Sequence, residues 1–316
     1  MIFLISSLDR KIGMGHSVRC KYLKDAIQQN RISVTHLDLM AIDSLDYDYL
    51  LKSMGENQSN HIFIFDLHHE HINKGLINLF IRLKKSNNFL IGLDCLIELS
   101  AYLDFLWIPT LFIDQEILKE IKCDYRFGLD SILLPKIKNH KTKISINDTV
   151  LTICSGASDV SFLGDWLPDA IQQAEIKGLT KVTWIQGPYA KKPVFNLTTN
   201  TDLDIEIIKS PLSLISILQK SDFILTAYGI TAFESLACNI PTMVFSPYGR
   251  KDSQNLNVLK ELAICDVSMD ISMLARDTKN FIENSEKHPD IIYNLEQLDF
   301  SVGLNQFVEL VTKKLL

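Results

Sequence analysis

No stretch of the 316 residues approaches the ~20 consecutive apolar positions that a membrane helix needs, so stable membrane insertion is not expected. Basic charge is not in excess either. The formal net charge is −6, with 22% charged residues of mixed sign, which argues against nucleic acid as a main partner. An anionic ligand must then be held by local donors. Cysteine pairs are missing too: the six cysteines, Cys20, Cys95, Cys123, Cys154, Cys238 and Cys265, form no CxxC and no short disulfide framework. A reducing, cytoplasmic compartment is the expectation. The N-terminus lacks a signal-peptide pattern, because the apolar run Met1 to Ile5 is too short and the charged Asp9-Arg10-Lys11 stands soon after it. Internal repeats and low-complexity tracts are absent. The composition leaves a soluble globular chain whose 47% apolar residues can fill two cores, and whose length favours two domains of about 150 residues.

The most informative stretch is Gly13-Met14-Gly15-His16-Ser17-Val18-Arg19-Cys20. It comes after the apolar run Ile2 to Ile5, which reads as a buried parallel strand. It precedes Val18, Tyr22, Leu23, Ala26 and Ile27, whose spacing makes one apolar helix stripe. Gly13 and Gly15 let a ligand approach the backbone, and the first helical turn offers unpaired N–H groups to an anion. His16 stands at the mouth of that turn, with Arg19 three residues on along the same face. A nearby guanidinium and a helix N-terminus both disfavour imidazolium, so His16 is expected neutral and able to accept a proton.

This run, with the helix after it, resembles the signature of the UDP-sugar hydrolases of the pseudaminic-acid pathway, which are similar in fold to glycosyltransferases of the GT-B class. The resemblance implies His16 as catalytic base, assisted by Arg19, and a UDP-sugar such as UDP-2,4-diacetamido-2,4,6-trideoxy-L-altrose as substrate. It also implies chemistry without metal or cofactor.

Further strands are expected at Val34 to Leu39, Ile62 to Phe65, Phe89 to Leu93, Asp104 to Ile108 and Cys123 to Gly128. Near-continuous apolar strands separated by helical patterns mean a parallel sheet covered on both faces. Asp66 and Asp94 end two of these strands, where such sheets hold ligands, and both are candidate substrate-binding residues. His68, His69, Glu70 and His71 come directly after that first aspartate. Neighbouring residues cannot easily all point at one ion, so a solvated loop is preferred to a metal site. Leu133-Leu134-Pro135 and the polar run Lys136 to Lys143 read as the end of a first domain, residues 1–140.

The second domain, 146–316, repeats the pattern, with a last helix able to pack back on the first. Thr149 to Cys154 reads as a strand, leading into Ser155-Gly156-Ala157-Ser158-Asp159 and a helix with Phe162, Trp166 and Ala170 on its apolar face. The small residues Ser155 and Gly156 suit close approach of a phosphate. Strands are expected at Lys181 to Ile185 and Ile205 to Ile208. Asp222 to Phe245 reads strand, turn, helix, strand. It places Gly229 and Thr231 as donors to a diphosphate and Glu234 as acceptor from ribose hydroxyls. This element looks like the nucleotide-binding part of GT-B enzymes, with Tyr228 and Ile230 where the family has smaller residues. Gln254 and Asn255 fall where the family has a sugar-contacting glutamine. The fold expected is α/β, two doubly wound, Rossmann-like domains facing across a cleft, GT-B-like. Hydrolysis of a UDP-sugar, glycosyl transfer by the same site, and a non-catalytic binding module are the three functions that fit. The sequence leaves the oligomeric state open.

Overall fold

The computed structural model describes residues 1–8, 14–40, 59–68, 72–94, 96–138, 148–195, 203–211, 213–284, 286 and 288–315. Gly13, His69, Glu70, His71, Cys95 and most of the connector Lys136 to Lys143 lie outside them. The chain divides into two units, Met1–Pro135 with Phe300–Leu316, and Lys136–Asp299.

The first unit runs β1 (Ile2–Leu8), α1 (Gly15–Gln29), β2 (Val34–Met40), β3 (Ile62–Asp66), α2 (Lys74–Lys85), β4 (Phe89–Leu93), β5 (Phe105–Trp107), α3 (Gln115–Glu120) and β6 (Asp124–Arg126). The second runs β7 (Thr149–Cys154), α4 (Leu163–Gln173), β8 (Leu179–Gln186), β9 (Asp204–Lys209), α5 (Ile215–Leu218), β10 (Phe223–Ala227), α6 (Ile230–Ala237), β11 (Thr242–Phe245), α7 (Ser253–Glu261), β12 (Asp266–Ser268), α8 (Leu274–Glu283) and α9 (His288–Glu296). The closing helix, α10 (Val302–Leu315), belongs to the first unit.

Among the described residues each unit holds one six-stranded sheet, ordered β2-β1-β3-β4-β5-β6 and β12-β11-β10-β7-β8-β9, and the paired strands are parallel throughout. Apolar strands without polar alternation require cover on both faces, and β1 shows how it is supplied. Phe3 and Ile5 pack with Leu76, Leu79, Phe80 and Leu83 of α2, while Ile2 and Leu4 pack with Leu23 and Ile27 of α1 and Phe307 and Val311 of α10. Trp107 anchors that second layer, its ring edge-on to Phe307 at 5.1 Å and its Nε1–H donating to Ser131 O at 2.7 Å. Gly303 lets α10 approach, since a Cβ there would stand 2.3 Å from Ile132 O.

Two predicted helix faces are corrected by the structure. In α1 the buried line is Arg19, Cys20, Leu23 and Ile27, with Tyr22 and Ala26 at its border. In α4, Leu163, Leu167 and Ile171 are buried, whereas Phe162 is 60% exposed. Asp159 accounts for this second shift: its carboxylate accepts from the N–H groups of Leu163 and Gly164 at 3.0 and 2.8 Å. The helix therefore starts after Phe162, which sits in left-handed backbone at φ 52, and the buried phase turns by one residue.

Candidate active site

Ligands of doubly wound sheets bind outside the strand C-termini where the strand order reverses. In the first unit that point lies between β1 and β3, and the residues there are the turn into α1 and the end of β3. His16 is the second residue of α1 and Asp66 the last of β3. Among the described residues no side chain caps α1, and its first turn has no acidic residue. Gly15 has nothing within 4 Å of where a Cβ would be.

Asp66 is fully buried and takes four hydrogen bonds. His16 Nδ1 lies 2.5 Å from Oδ1, Arg19 donates from Nε to Oδ2 at 2.8 Å and from Nη2 to Oδ1 at 2.7 Å, and Cys20 Sγ donates to Oδ2 at 3.4 Å. Burial alone would raise the Asp66 carboxyl, but the charges and hydrogen bonds of Arg19 and His16 outweigh it and hold the group well below the usual carboxylate range. Asp66 is thus an anion that can only accept, so His16 Nδ1 carries the proton. Nε2 is then the nitrogen left to accept one, and it has no partner among the described residues. Arg19 Nη2 approaches the same Nδ1 to 3.2 Å, a contact between two donors that share the Asp66 oxygen.

The structure changes the reading of three residues here. Asp66, expected at the substrate, is 0% exposed and occupied by its neighbours. Arg19, expected to act on His16 as a free cation, is 9% exposed and neutralised by Asp66 and Asp94. Burial works against the guanidinium charge, yet the two carboxylates raise its affinity for the proton overall. Asp94 is the half-exposed member: Oδ2 accepts from Arg19 Nη1 and Nη2 at 3.2 Å each, and its backbone is left-handed at φ 58. His68, read from sequence as part of a solvated loop, presents its ring edge-on to His16 at 6.5 Å. Its place two residues past the strand-end aspartate was the signal available.

In the second unit the strand order reverses between β7 and β10. Two loops meet there. Ser155, directly after β7, is 3% exposed, and Gly156 has φ 95 with open space around it. Gly187, not singled out from sequence, makes this loop possible, because a Cβ on it would fall 2.4 Å from the carbonyls of Gly156 and Ala157. The N-terminus of α4 is closed by Asp159, so that helix end does not offer its N–H groups to a phosphate as expected.

The N-terminus of α6 is different. Gly229 is its N-cap at φ 153, ψ −166, a conformation open essentially to glycine alone, and no side chain among the described residues caps the helix. Thr231 is half-buried in the first turn. Glu234, one turn on, is 3% exposed beside Cys154 and Cys238. Burial first and then this carboxylate raise both thiols, Cys238 to about 12. Tyr228 turns its ring edge-on to Phe233 at 5.9 Å and donates its N–H to Phe245 O at 2.7 Å. Gln254 and Asn255 lie in the first turn of α7, Gln254 exposed and Asn255 half-buried. The preceding loop is tied by Ser246 Oγ donating to Asp252 Oδ2 at 2.7 Å.

Among the described residues no group of His, Cys, Asp or Glu is placed to hold a metal ion, and no helix is long and apolar enough to cross a membrane.

No protein-family model matches the chain, and no curated protein matches its sequence. Solved structures do. The chain is similar to MurG of Acinetobacter baumannii at 13% identity and a TM-score of 0.62, over 99% of each chain. It is similar to the glycotransferase of kitacinnamycin at 10% identity and 0.63, over 99% of this chain and 98% of that one. A Listeria monocytogenes protein described as a UDP-N-acetylglucosamine 2-epimerase matches at 12% identity and 0.58, over 97% and 94%. The two parallel sheets and these similarities define the class: the chain has the GT-B fold. The similarities reach the fold and stop short of the hydrolase family that the N-terminal signature resembles.

Proposed function

We propose that the chain is a UDP-sugar-dependent enzyme that breaks the anomeric C–O bond with His16 as base, passing the sugar to an acceptor hydroxyl. The observation that carries this reading is the buried Asp66 carboxylate fixing the Nδ1 proton of His16 at the switch point of the first sheet. Nε2 takes the proton of the attacking O–H as its oxygen bonds to the anomeric carbon, and the C–O bond to the diphosphate breaks with UDP leaving. The second unit binds UDP: the uncapped N-terminus of α6 at Gly229 and Thr231 faces the diphosphate, and Glu234 accepts from the ribose hydroxyls. Asp94, with its half-exposed carboxylate, accepts from a donor group of the sugar or acceptor. Diphosphate charge is met by helix N–H groups, so the reaction needs no metal ion.

Transfer is favoured over hydrolysis because similar structures include the glycotransferase of kitacinnamycin and the calicheamicin glycosyltransferase. Hydrolysis, with water as the acceptor, is the second reading, and the Gly15-His16 to Arg19-Cys20 signature favours it. The test is UDP release from a panel of UDP-sugars, with and without acceptor alcohols and in excess EDTA. Release that requires an acceptor supports transfer, and release in water alone supports hydrolysis. Binding without release would leave only a nucleotide-sugar module. Full activity of His16→Ala would remove His16 from the chemistry, and activity lost to EDTA and restored by one ion would overturn the metal-free reading.

A further inference from the structure

Five of the twelve large apolar side chains that are exposed among the described residues stand in three loops of the second unit: Val160 and Phe162 after β7, Tyr189 and Val194 after β8, and Tyr248 after β11. The strands are parallel, so all three loops leave the same edge of the sheet. They are also stapled together. Tyr189 N–H donates to Ala157 O at 3.0 Å, Val194 N–H to Gly164 O at 2.9 Å, and Ser161 Oγ to Pro247 O at 2.9 Å. Phe162 is the extreme case, a bulky residue held in left-handed backbone at φ 52 while 60% exposed, so that neither sterics nor the hydrophobic effect favours its placement. Strain kept at an exposed apolar residue points to a function.

Cations accompany these side chains. Lys191 Nζ lies 5.8 Å from the centre of the Phe162 ring and Lys251 Nζ 5.5 Å from that of Tyr248, and their sequence neighbours Lys192 and Arg250 are exposed. Of the carboxylates in and beside the same loops, Asp159 is buried on the N-terminus of α4 and Asp252 accepts from Ser246, which leaves Asp165 exposed against four cations. In a chain of net charge −6 this edge is locally positive. We propose that it docks on an anionic phospholipid surface, with Phe162 and Tyr248 in the headgroup layer and the four cations against lipid phosphates. Aromatic rings at headgroup depth, with lysines reaching from them to the phosphates, match that interface. Nucleic acid would pair with the cations and stack on the rings, but it offers Val160 and Val194 no apolar phase to enter, and a lipid surface does. At a Debye length of about 8 Å the acidic remainder of the chain is screened from the surface that the loops touch. The docking is peripheral, since among the described residues no helix is long and apolar enough to cross a membrane.

The test sediments the full chain with vesicles of phosphatidylcholine alone, or of phosphatidylcholine mixed with phosphatidylglycerol. The parent should partition onto the mixed vesicles in excess of the neutral ones and be released by high salt. Lys191→Gln and Lys251→Gln should each lower that partitioning about fivefold, and Phe162→Gly about tenfold. Glycine suits φ 52, so this last variant keeps the fold, and its thermal midpoint by circular dichroism checks that it does. Partitioning no greater onto mixed than onto neutral vesicles overturns the proposal, as do three variants that all partition like the parent. A parent that binds single-stranded DNA and ignores both vesicles overturns it too. Partitioning is measured without substrate, so its failure and a failure of the UDP-sugar reading show separately.

Discussion

Replacing Asp66 by asparagine removes one negative charge and almost no volume from a fully buried carboxylate that takes four hydrogen bonds. Arg19, 9% exposed, would lose two hydrogen bonds of 2.7 and 2.8 Å and meet an amide N–H or a weaker acceptor in their place. Asp94, 3.2 Å away and 35% exposed at its side chain, would be its remaining counter-charge. Breaking a buried ion pair from one side costs ~3–5 kcal/mol. At ~2–4 °C per kcal/mol for domains of 150–250 residues, the thermal midpoint of the first unit should fall by about 6–20 °C. His16 would also lose the anion that fixes its Nδ1 proton, so kcat should fall ~10²–10⁴-fold while UDP affinity stays within a few-fold. The pH dependence has a definite sign. The folded carboxyl lies below its ordinary value of 3.8, so its contribution is fully present above that value and is lost as pH falls from there toward the folded value. The stability gap between the parent and Asp66→Asn should therefore close in acid. Thermal unfolding from pH 7 down to pH 3, UDP-release kinetics and UDP calorimetry together check this. A normal rate with a lowered midpoint would show that Asp66 supports the fold and not His16, and no change in either would refute the ion network.

Gly229→Ala should cost ~1–3 kcal/mol although a Cβ meets nothing within 4 Å, because its φ of 153 suits glycine; UDP binding by calorimetry should weaken with it, and unchanged affinity would detach Gly229 from the nucleotide. Gly303→Ala should lower the midpoint of the first unit, since the new Cβ meets Ile132 O at 2.3 Å and the close approach of α10 is lost; a variant as stable as the parent would show the contact relaxes freely. His288 is 1% exposed between Phe223 and Phe281, with Nε2 donating to Phe281 O at 2.8 Å, and burial lowers its proton affinity below the ordinary 6.5. The second unit should lose stability as pH falls below about 6.5, and His288→Phe should flatten that slope in denaturant titrations at pH 5 and 7; an equal slope in both proteins would exclude His288 as its source.

Local interactions make part of this protein readable without a structure. The apolar runs at Ile2 to Ile5, Ile62 to Phe65 and Phe223 to Ala227 become central strands because short stretches that apolar must be covered on both faces. The glycine turn before His16 and the Gly229 turn before α6 are legible for the same reason: a turn and the helix after it are settled within a few residues. Helix faces are legible only to within one position, since a cap such as Asp159 shifts where the helix starts and rotates everything after it. Only tertiary structure decided the pairings between distant positions. Arg19 and Asp66 stand 47 residues apart, and nothing in the spacing of either shows that the guanidinium is spent on that carboxylate. The strand order, and with it the switch points that put His16 against Asp66 and Gly156 near Gly229, depends on which strands become neighbours. The same holds for α10, whose Phe307 meets Trp107 from the far end of the chain. An amphipathic face records that burial is required. Which partner provides it is settled by competition among all the apolar faces of the folded chain, and no local pattern records the outcome.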